Sequence, residues 1–323
     1  MNLNQTERGY DVAALGELLI DFTENGRSSQ GNPLFECNPG GAPCNVLAML
    51  EKLGKKTAFI GKVGDDMFGH LLKERVTGEG IDLSGLVMSR DVRTTLAFVQ
   101  NGPEGDREFS FYRNPGADMS LKETEVNTGL IEHSKIFHFG SLSMTHKEVE
   151  QATVKALNTA KKSGCLISYD PNLRERLWDS LKKAEEKIRY GIANCDILKI
   201  ADNEITFLTG KENPEEGMEI LLKQYHPKIA FATLGKEGSI AYYRGMKVYE
   251  PAVLNENTAD TTGAGDTFTG CALNFLLEHD INRLTKENLR ELLRFANAAA
   301  SIVTTRKGAL CVMPEKDEIL KLM

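Results

Sequence analysis

Residues 260–270, "DTTGAGDTFTG", crowd three glycines, four threonines and two aspartates into eleven positions, directly ahead of the apolar, helix-forming run "CALNFLLEH". The first amides of a helix lack intrahelical partners, and the aligned peptide dipoles place about half a positive charge there. Gly263, Ala264 and Gly265 carry almost no side chain, so an anion can reach those amides and the turn becomes an anion cradle. Asp266 stands at the mouth of the helix, where the same dipole favours its ionised form. A carboxylate beside an anion cradle suits phosphoryl transfer to an alcohol. The carboxylate takes the hydroxyl proton while the amides stabilise charge on the group in flight. The same residues also suit a plain helix cap, and the segment alone leaves both readings open.

Other chemistries are less well served. The dinucleotide fingerprint G-x-G-x-x-G fails because residue 268 is phenylalanine, and the chain has no G-x-x-x-x-G-K-[ST] loop. Cys37, Cys44, Cys165, Cys195, Cys271 and Cys311 form no C-x-x-C pair, and the six histidines show no zinc spacing. A formal charge of −7 without a long basic run argues against a nucleic-acid or anionic-membrane surface. There is no run of 18 apolar residues and no basic stretch leading into an apolar core near the start. A cytoplasmic protein with reduced thiols is therefore the expectation.

Positioning the 260–270 turn is the task of the remaining elements. The 323 residues suffice for one large α/β domain spanning 1–323, able to bury roughly 75% of its unfolded surface. "YDVAALGELLIDF" reads as an opening strand and "NPLFECNPGG" as a short strand ending in a glycine turn. A helix over 43–53 follows, with Val46, Met49, Leu50 and Leu53 on one face, and then a strand at 57–61 and a helix in "DDMFGHLLKERVTGEG". "TTLAFVQ" (94–100) and "REFSFYR" (107–113) alternate with period two around "NGPEGD", which is a hairpin signal. A small antiparallel sheet from about 11–22, 33–38 and 94–113 is expected to project from the main sheet, as a lid or as the contact of a homodimer. From residue 135, "KIFHFG", "CLISYD", "DILKIA" and "KIAFATLG" alternate with helical patterns at 146–163, 179–193, 203–209 and 214–225. This is the form of βαβ units in a mostly parallel sheet covered on both faces, a three-layer α/β/α sandwich. A second hairpin, "GSIAYYRGMKVYE", has its turn read at Gly245-Met246, and helices over 265–279 and 286–305 close the chain.

Two separated segments bear a family likeness. "DTTGAGDTFTG" resembles the C-terminal signature of the ribokinase-like, or pfkB, carbohydrate kinases, and "PGGAPCNVLAML" (39–50) resembles their N-terminal glycine signature. The likeness extends over nearly the whole chain. It implies an α/β/α sandwich with a small β-sheet lid, and phosphorylation of a sugar hydroxymethyl group with ATP and Mg²⁺. On that resemblance Asp266 is the base, and the backbone of Ala264, Gly265 and Asp266, in the turn opened by Gly263, forms the anion hole. Asp21 holds sugar hydroxyls, helped by Gly40, Gly41 and Asn45. Arg113, in "FYRNPGAD", is a sugar contact, with Asp118 either a second such contact or a cap. Arg174, in "DPNLRERLW", offsets phosphate charge or forms a surface ion pair. Thr233, Gly235 and Gly238 lie under the nucleotide and Asn297 beside its base, while Lys199 and Glu204 complete that set. Many members carry N-x-x-E; here Ala201 replaces the asparagine ahead of Glu204. Asp260, Thr262, Arg306 and Gly308 match positions that hold K⁺ in many members, mainly through backbone carbonyls, although Val312 stands where some carry serine. Within the family the sequence looks most like fructokinases. Kinases of 2-keto-3-deoxygluconate or ribose are the alternatives, as is a sugar- or nucleotide-binding sensor without catalysis. An acidic sugar would need a further cation, for which Arg113 is the candidate.

Overall fold

Short runs rich in β-branched and aromatic residues build two sheets. The computed structural model describes residues 8–101, 107–255 and 257–323, with main chain alone at 99–101 and 107–109. In chain order the strands are β1 (Tyr10–Leu15), β2 (Leu19–Arg27), β3 (Pro33–Gly40), β4 (Thr57–Gly64), β5 (Asp82–Ser89), β6 (Leu96–Asn101) and β7 (Arg107–Tyr112), followed by β8 (Ser134–Gly140), β9 (Leu166–Asp170), β10 (Ile197–Ala201), β11 (Ile229–Thr233), β12 (Ser239–Tyr243) and β13 (Met246–Glu250). Among the described residues the large sheet has the order β13-β12-β11-β10-β9-β8-β1-β4-β5, and the small sheet β3-β2-β6-β7. Pairings from β5 through β11 are parallel, and the β11-β12 and β12-β13 pairings are antiparallel.

Alternation along each central strand feeds two cores, because successive side chains point to opposite faces. On β11, Ile229 and Phe231 join the core packed by helices Ala42–Lys52, Ala264–Glu278 and Lys286–Val303. Ala230 and Ala232 join the core packed by helices Lys147–Lys162, Leu181–Ala193 and Pro214–Tyr225. The three-layer sandwich follows from that split. Each fully buried Phe or Leu contributes about 1.5–3 kcal/mol, so both faces must be covered.

The structure differs from the sequence expectation in several places. "YDVAALGELLIDF" is two strands: β1 lies in the large sheet and β2 in the small one, so the small sheet draws on residue 19 onward rather than on 11–22 as a whole. The small sheet is also mixed rather than antiparallel, because β2 pairs parallel with β6. The turn of the second hairpin is Arg244-Gly245, both left-handed at φ 46° and 77°, since Tyr243 pairs directly with Met246. Strand β5 and the helix Lys316–Leu322 had no counterpart in the sequence reading. The turn 102–106 of the first hairpin lies outside the described residues.

Candidate active site

Two cavities open beside the carboxyl ends of β9, β10 and β11, where an open α/β sheet leaves room for ligands. The larger, about 570 Å³, is walled by the loops after β10 and β11 and by the first turn of helix Ala264–Glu278. The smaller, about 80 Å³, lies against the small sheet between Asp21, Gly41, Asn45, Phe111 and Leu142. Asn172, Arg174, Thr262 and Asp266 line both.

The cradle forms because Gly263 takes a left-handed φ of 80° at the helix N-cap, where a Cβ would come within 2.6 Å of the Ala309 Cβ. Asp266 follows in the first helical turn, 7% exposed, and its Oδ2 accepts from Asn45 Nδ2 at 2.8 Å. Burial, with the Asp170 charge adding, pushes its carboxyl up to about 6; the Asn45 bond and the Lys199 and Arg174 charges pull the other way. Desolvation thus outweighs the dipole that the sequence argument relied on, yet the group remains mostly ionised at neutral pH. Lys199 stands beneath the cradle. A Cβ on Gly265 would lie 2.9 Å from its Nζ, which pairs with Asp170 Oδ2 at 3.1 Å. Burial alone would lower the Lys199 pKa, but the charges of Asp170, Glu204 and Asp266 hold it above the ordinary lysine value.

Two glycines leave room around the small cavity, Gly41 in its wall and Gly40 behind Asp21. Gly41 (φ 131°) would drive a Cβ to 2.4 Å from the Glu17 carbonyl oxygen, and a Cβ on Gly40 would lie 2.3 Å from Asp21 Oδ2. Asp21 lines the wall; burial raises its carboxyl to about 7, with Arg174 opposing and Asp260 and Asp266 reinforcing. Asn45 Oδ1 is buried with no hydrogen-bond partner among the described residues, an acceptor left for a ligand donor. The sequence reading missed Glu17, which lines the same cavity and whose Oε1 accepts from the Ala42 amide at 3.0 Å. Burial lifts it to about 7 as well. Its one sequence signal was an acidic residue beside a glycine at a strand end. Arg113 does not line the cavity. It lies buried in an ion pair with Asp118 at 2.7 Å and donates to the Leu142 carbonyl at 3.2 Å. Asp118 is thus that cation's partner rather than a cap.

Thr233, Gly235, Gly238 and Asn297 all line the larger cavity. Asn297 accepts from Ser239 Oγ at 2.8 Å and donates to the carbonyls of Glu250 and Pro251 at 3.2 and 3.0 Å, so its amide ties β12 to the end of β13. Glu204 accepts from the amides of Leu173 and Ala201, both at 2.9 Å. Asp260 accepts from the Thr262 amide at 2.7 Å and the Gly308 amide at 3.4 Å, which brings segments 260–262 and 306–308 together. The Arg306 side chain turns away, toward Glu318 and the Val312 carbonyl. Among the described residues no cluster of three or more His, Cys, Asp or Glu could hold a metal ion.

An α/β/α sandwich carrying a small sheet, with a buried carboxylate shared by a large cavity and a small one, suits a kinase of small sugars. The pfkB family carbohydrate kinase profile matches residues 10–316, and the chain belongs to that family. Among curated relatives, "Probable fructokinase-2" of Arabidopsis thaliana is 42% identical over 316 residues, 97% of this chain and 95% of its own. "Fructokinase-1" of Oryza sativa subsp. japonica is 41% identical, covering 97% of each chain. Among solved structures, a fructokinase with bound ATP from Xylella fastidiosa superposes with a TM-score of 0.87 at 28% identity, covering 97% of each chain. A double-mutant fructokinase from Vibrio cholerae O395 in fructose, ADP and potassium ion bound form gives 0.86 at 25% identity, over 98% of this chain and 99% of that one.

Proposed function

We propose that this chain transfers the γ-phosphoryl group of ATP to the primary hydroxyl of D-fructose, giving fructose 6-phosphate. The observation that carries the reading is Asp266, a buried carboxylate common to both cavities. Sugar occupies the smaller cavity, with two hydroxyls donating to Asp21 and one to Asn45 Oδ1. ATP occupies the larger, its γ-phosphoryl group at the amides of the 263–266 turn. Asp266 takes the proton of the hydroxyl, the freed oxygen attacks the γ-phosphorus, and the bond to the bridging oxygen of ADP breaks. Lys199 and Arg174 offset charge on the transferring group. Mg²⁺ would neutralise phosphate charge when bound; Glu204, its family candidate, has both oxygens on main-chain amides. Backbone oxygens of 260–262 and 306–308, drawn together by Asp260, suit a monovalent cation beside the cradle.

A neutral sugar fits better than an acidic one. Glu17, Asp21 and Asp266 line the small cavity against one cation among the described residues, Arg174, and Arg113 is already neutralised by Asp118. A coupled ADP-release screen over fructose, ribose, tagatose, 2-keto-3-deoxygluconate and adenosine is expected to give fructose the highest kcat/KM, by tenfold or more. Faster turnover of the acidic sugar refutes the assignment. The small sheet also carries stacked Phe22 and Phe98, with ring centroids 4.8 Å apart, and the exposed Tyr112 edge-on to Phe98 at 5.3 Å. We read this apolar face as the contact of a homodimer.

The pH profile follows from the two aspartates. Both must be ionised, Asp266 to accept the proton and Asp21 to accept hydroxyls, and in the free protein they titrate near 6 and 7. kcat/KM is therefore expected to fall as pH drops below about 7, with a slope steeper than one below 6. A flat profile between pH 5 and 8 excludes Asp266 as the base.

A further inference from the structure

We propose that Glu204 and Trp178 act together as positioning residues that lock segment 171–178 in the backbone path presenting Asn172 and Arg174 to both cavities; their effect on turnover rests on the phosphoryl-transfer reading above. After β9 the chain leaves the sheet and forms only a short 3₁₀ turn, Glu175–Leu177. Just ahead of it Asn172 and Arg174 are left-handed at φ 48° and 44°, conformations costing non-glycine residues of order 1 kcal/mol or more. Such strain persists only where the surroundings over-determine it. Here they do so at Leu173, the residue between. Its amide donates to Glu204 Oε1 at 2.9 Å, its carbonyl accepts from Trp178 Nε1 at 2.7 Å, and its side chain is 4% exposed in the core. The second Glu204 oxygen accepts from the Ala201 amide at 2.9 Å, so one carboxylate ties the end of β10 to the loop after β9.

The consequence reaches the reacting groups through Arg174. Its charge acts on both Asp21 and Asp266, and its side chain stands where the sugar cavity meets the nucleotide cavity. With Leu173 released, the two flanking residues can relax toward ordinary backbone conformations and carry the guanidinium away from the transfer path. The clamp is thus a device for Arg174: Glu204 borders the larger cavity with both carboxylate oxygens on main-chain amides, and Trp178 lines neither cavity.

The test combines hydrogen exchange with steady-state kinetics on Glu204→Gln, Trp178→Phe, Arg174→Ala and the double variant Trp178→Phe/Arg174→Ala. Trp178→Phe keeps an aromatic ring and removes the indole donor, so it reads the clamp even if Glu204→Gln folds poorly. Each clamp variant is expected to speed amide exchange across 171–175 at least tenfold with the rest of the chain unchanged. Each should lower kcat about tenfold or more, with KM for fructose and ATP within threefold. The double variant should be no more than threefold slower than Arg174→Ala. Multiplying effects in the double variant overturn the proposal. So does unchanged exchange at 171–175, including the case in which Glu204→Gln alters only the Mg²⁺ concentration needed for activity. If the unaltered protein phosphorylates no sugar, the function assignment fails while the exchange measurement still decides the clamp.

Discussion

Replacing Asp266 with asparagine lowers kcat by about 10²–10⁴, the range for a lost general base, and leaves KM for ATP and fructose within a few-fold. The substitution is nearly isosteric, and the amide oxygen it introduces can still accept from the Asn45 amide that now donates to Asp266 at 2.8 Å. What disappears is the capacity to take up the hydroxyl proton. The sign of the stability change separates this from misfolding. Burial raises the folded-state pKa of Asp266 from 3.8 to about 6. The folded state therefore favours the protonated carboxyl, a contribution fully present below about 4 and lost as pH rises through 6. Removing the charge should make the variant more stable than the parent above pH 6, by up to about 3 kcal/mol, with the difference shrinking toward pH 4. Steady-state kinetics with thermal melts at pH 4.5 and 8 read both. Turnover within fivefold of the parent removes Asp266 as the base.

Asp21→Asn is the second large effect, and it falls on the sugar alone. A carboxylate accepting two hydroxyls makes charge-assisted hydrogen bonds of about 1.5–3 kcal/mol each. An amide offers one acceptor and no charge, so KM for fructose should rise about 100-fold while KM for ATP holds. Here too the folded-state pKa is raised, from 3.8 to about 7, so the ionised form weighs against folding above pH 7 and the penalty vanishes below about 4. The variant should melt higher than the parent at pH 8, by roughly 2–4 kcal/mol of stability, and level with it near pH 4. A fructose KM within threefold of the parent shows that residue 21 does not grip the sugar. Together the two variants describe a site that folds against its own charge, because burial raises both carboxyls that line one small cavity.

Arg113 shows why side-chain type misleads when its neighbours are unknown. An arginine just past the β6-β7 hairpin suits an anionic ligand, and the sequence offers no sign that Asp118 lies 2.7 Å from it. Glu17 is the reverse case, a glutamate in an apolar run that looks incidental until β2 and β3 place it against the Ala42 amide. The misread opening segment has a related cause. Apolar residues flank Gly16-Glu17 on both sides in "YDVAALGELLIDF", and that pair alone is too weak a signal to show that the chain leaves the large sheet there for the small one. Strand β5 escaped notice because its residues are only half-buried for much of their length, which weakens the pattern.

The sequence by itself marked the turn and its carboxylate, since three small residues and Asp266 at a helix start lie within one turn, where exposed amides and the dipole are local properties. It also determined the βαβ alternation, because burial on both faces of a parallel sheet leaves a periodic trace. Only the tertiary structure decided that Asn45, 221 residues away, donates to Asp266, that Arg113 is already paired, and that Asp266 titrates near 6 rather than below 4. The reason is physical. Desolvation and the charges around a group are set by what packs against it from distant parts of the chain, and a linear sequence records only the neighbours along it.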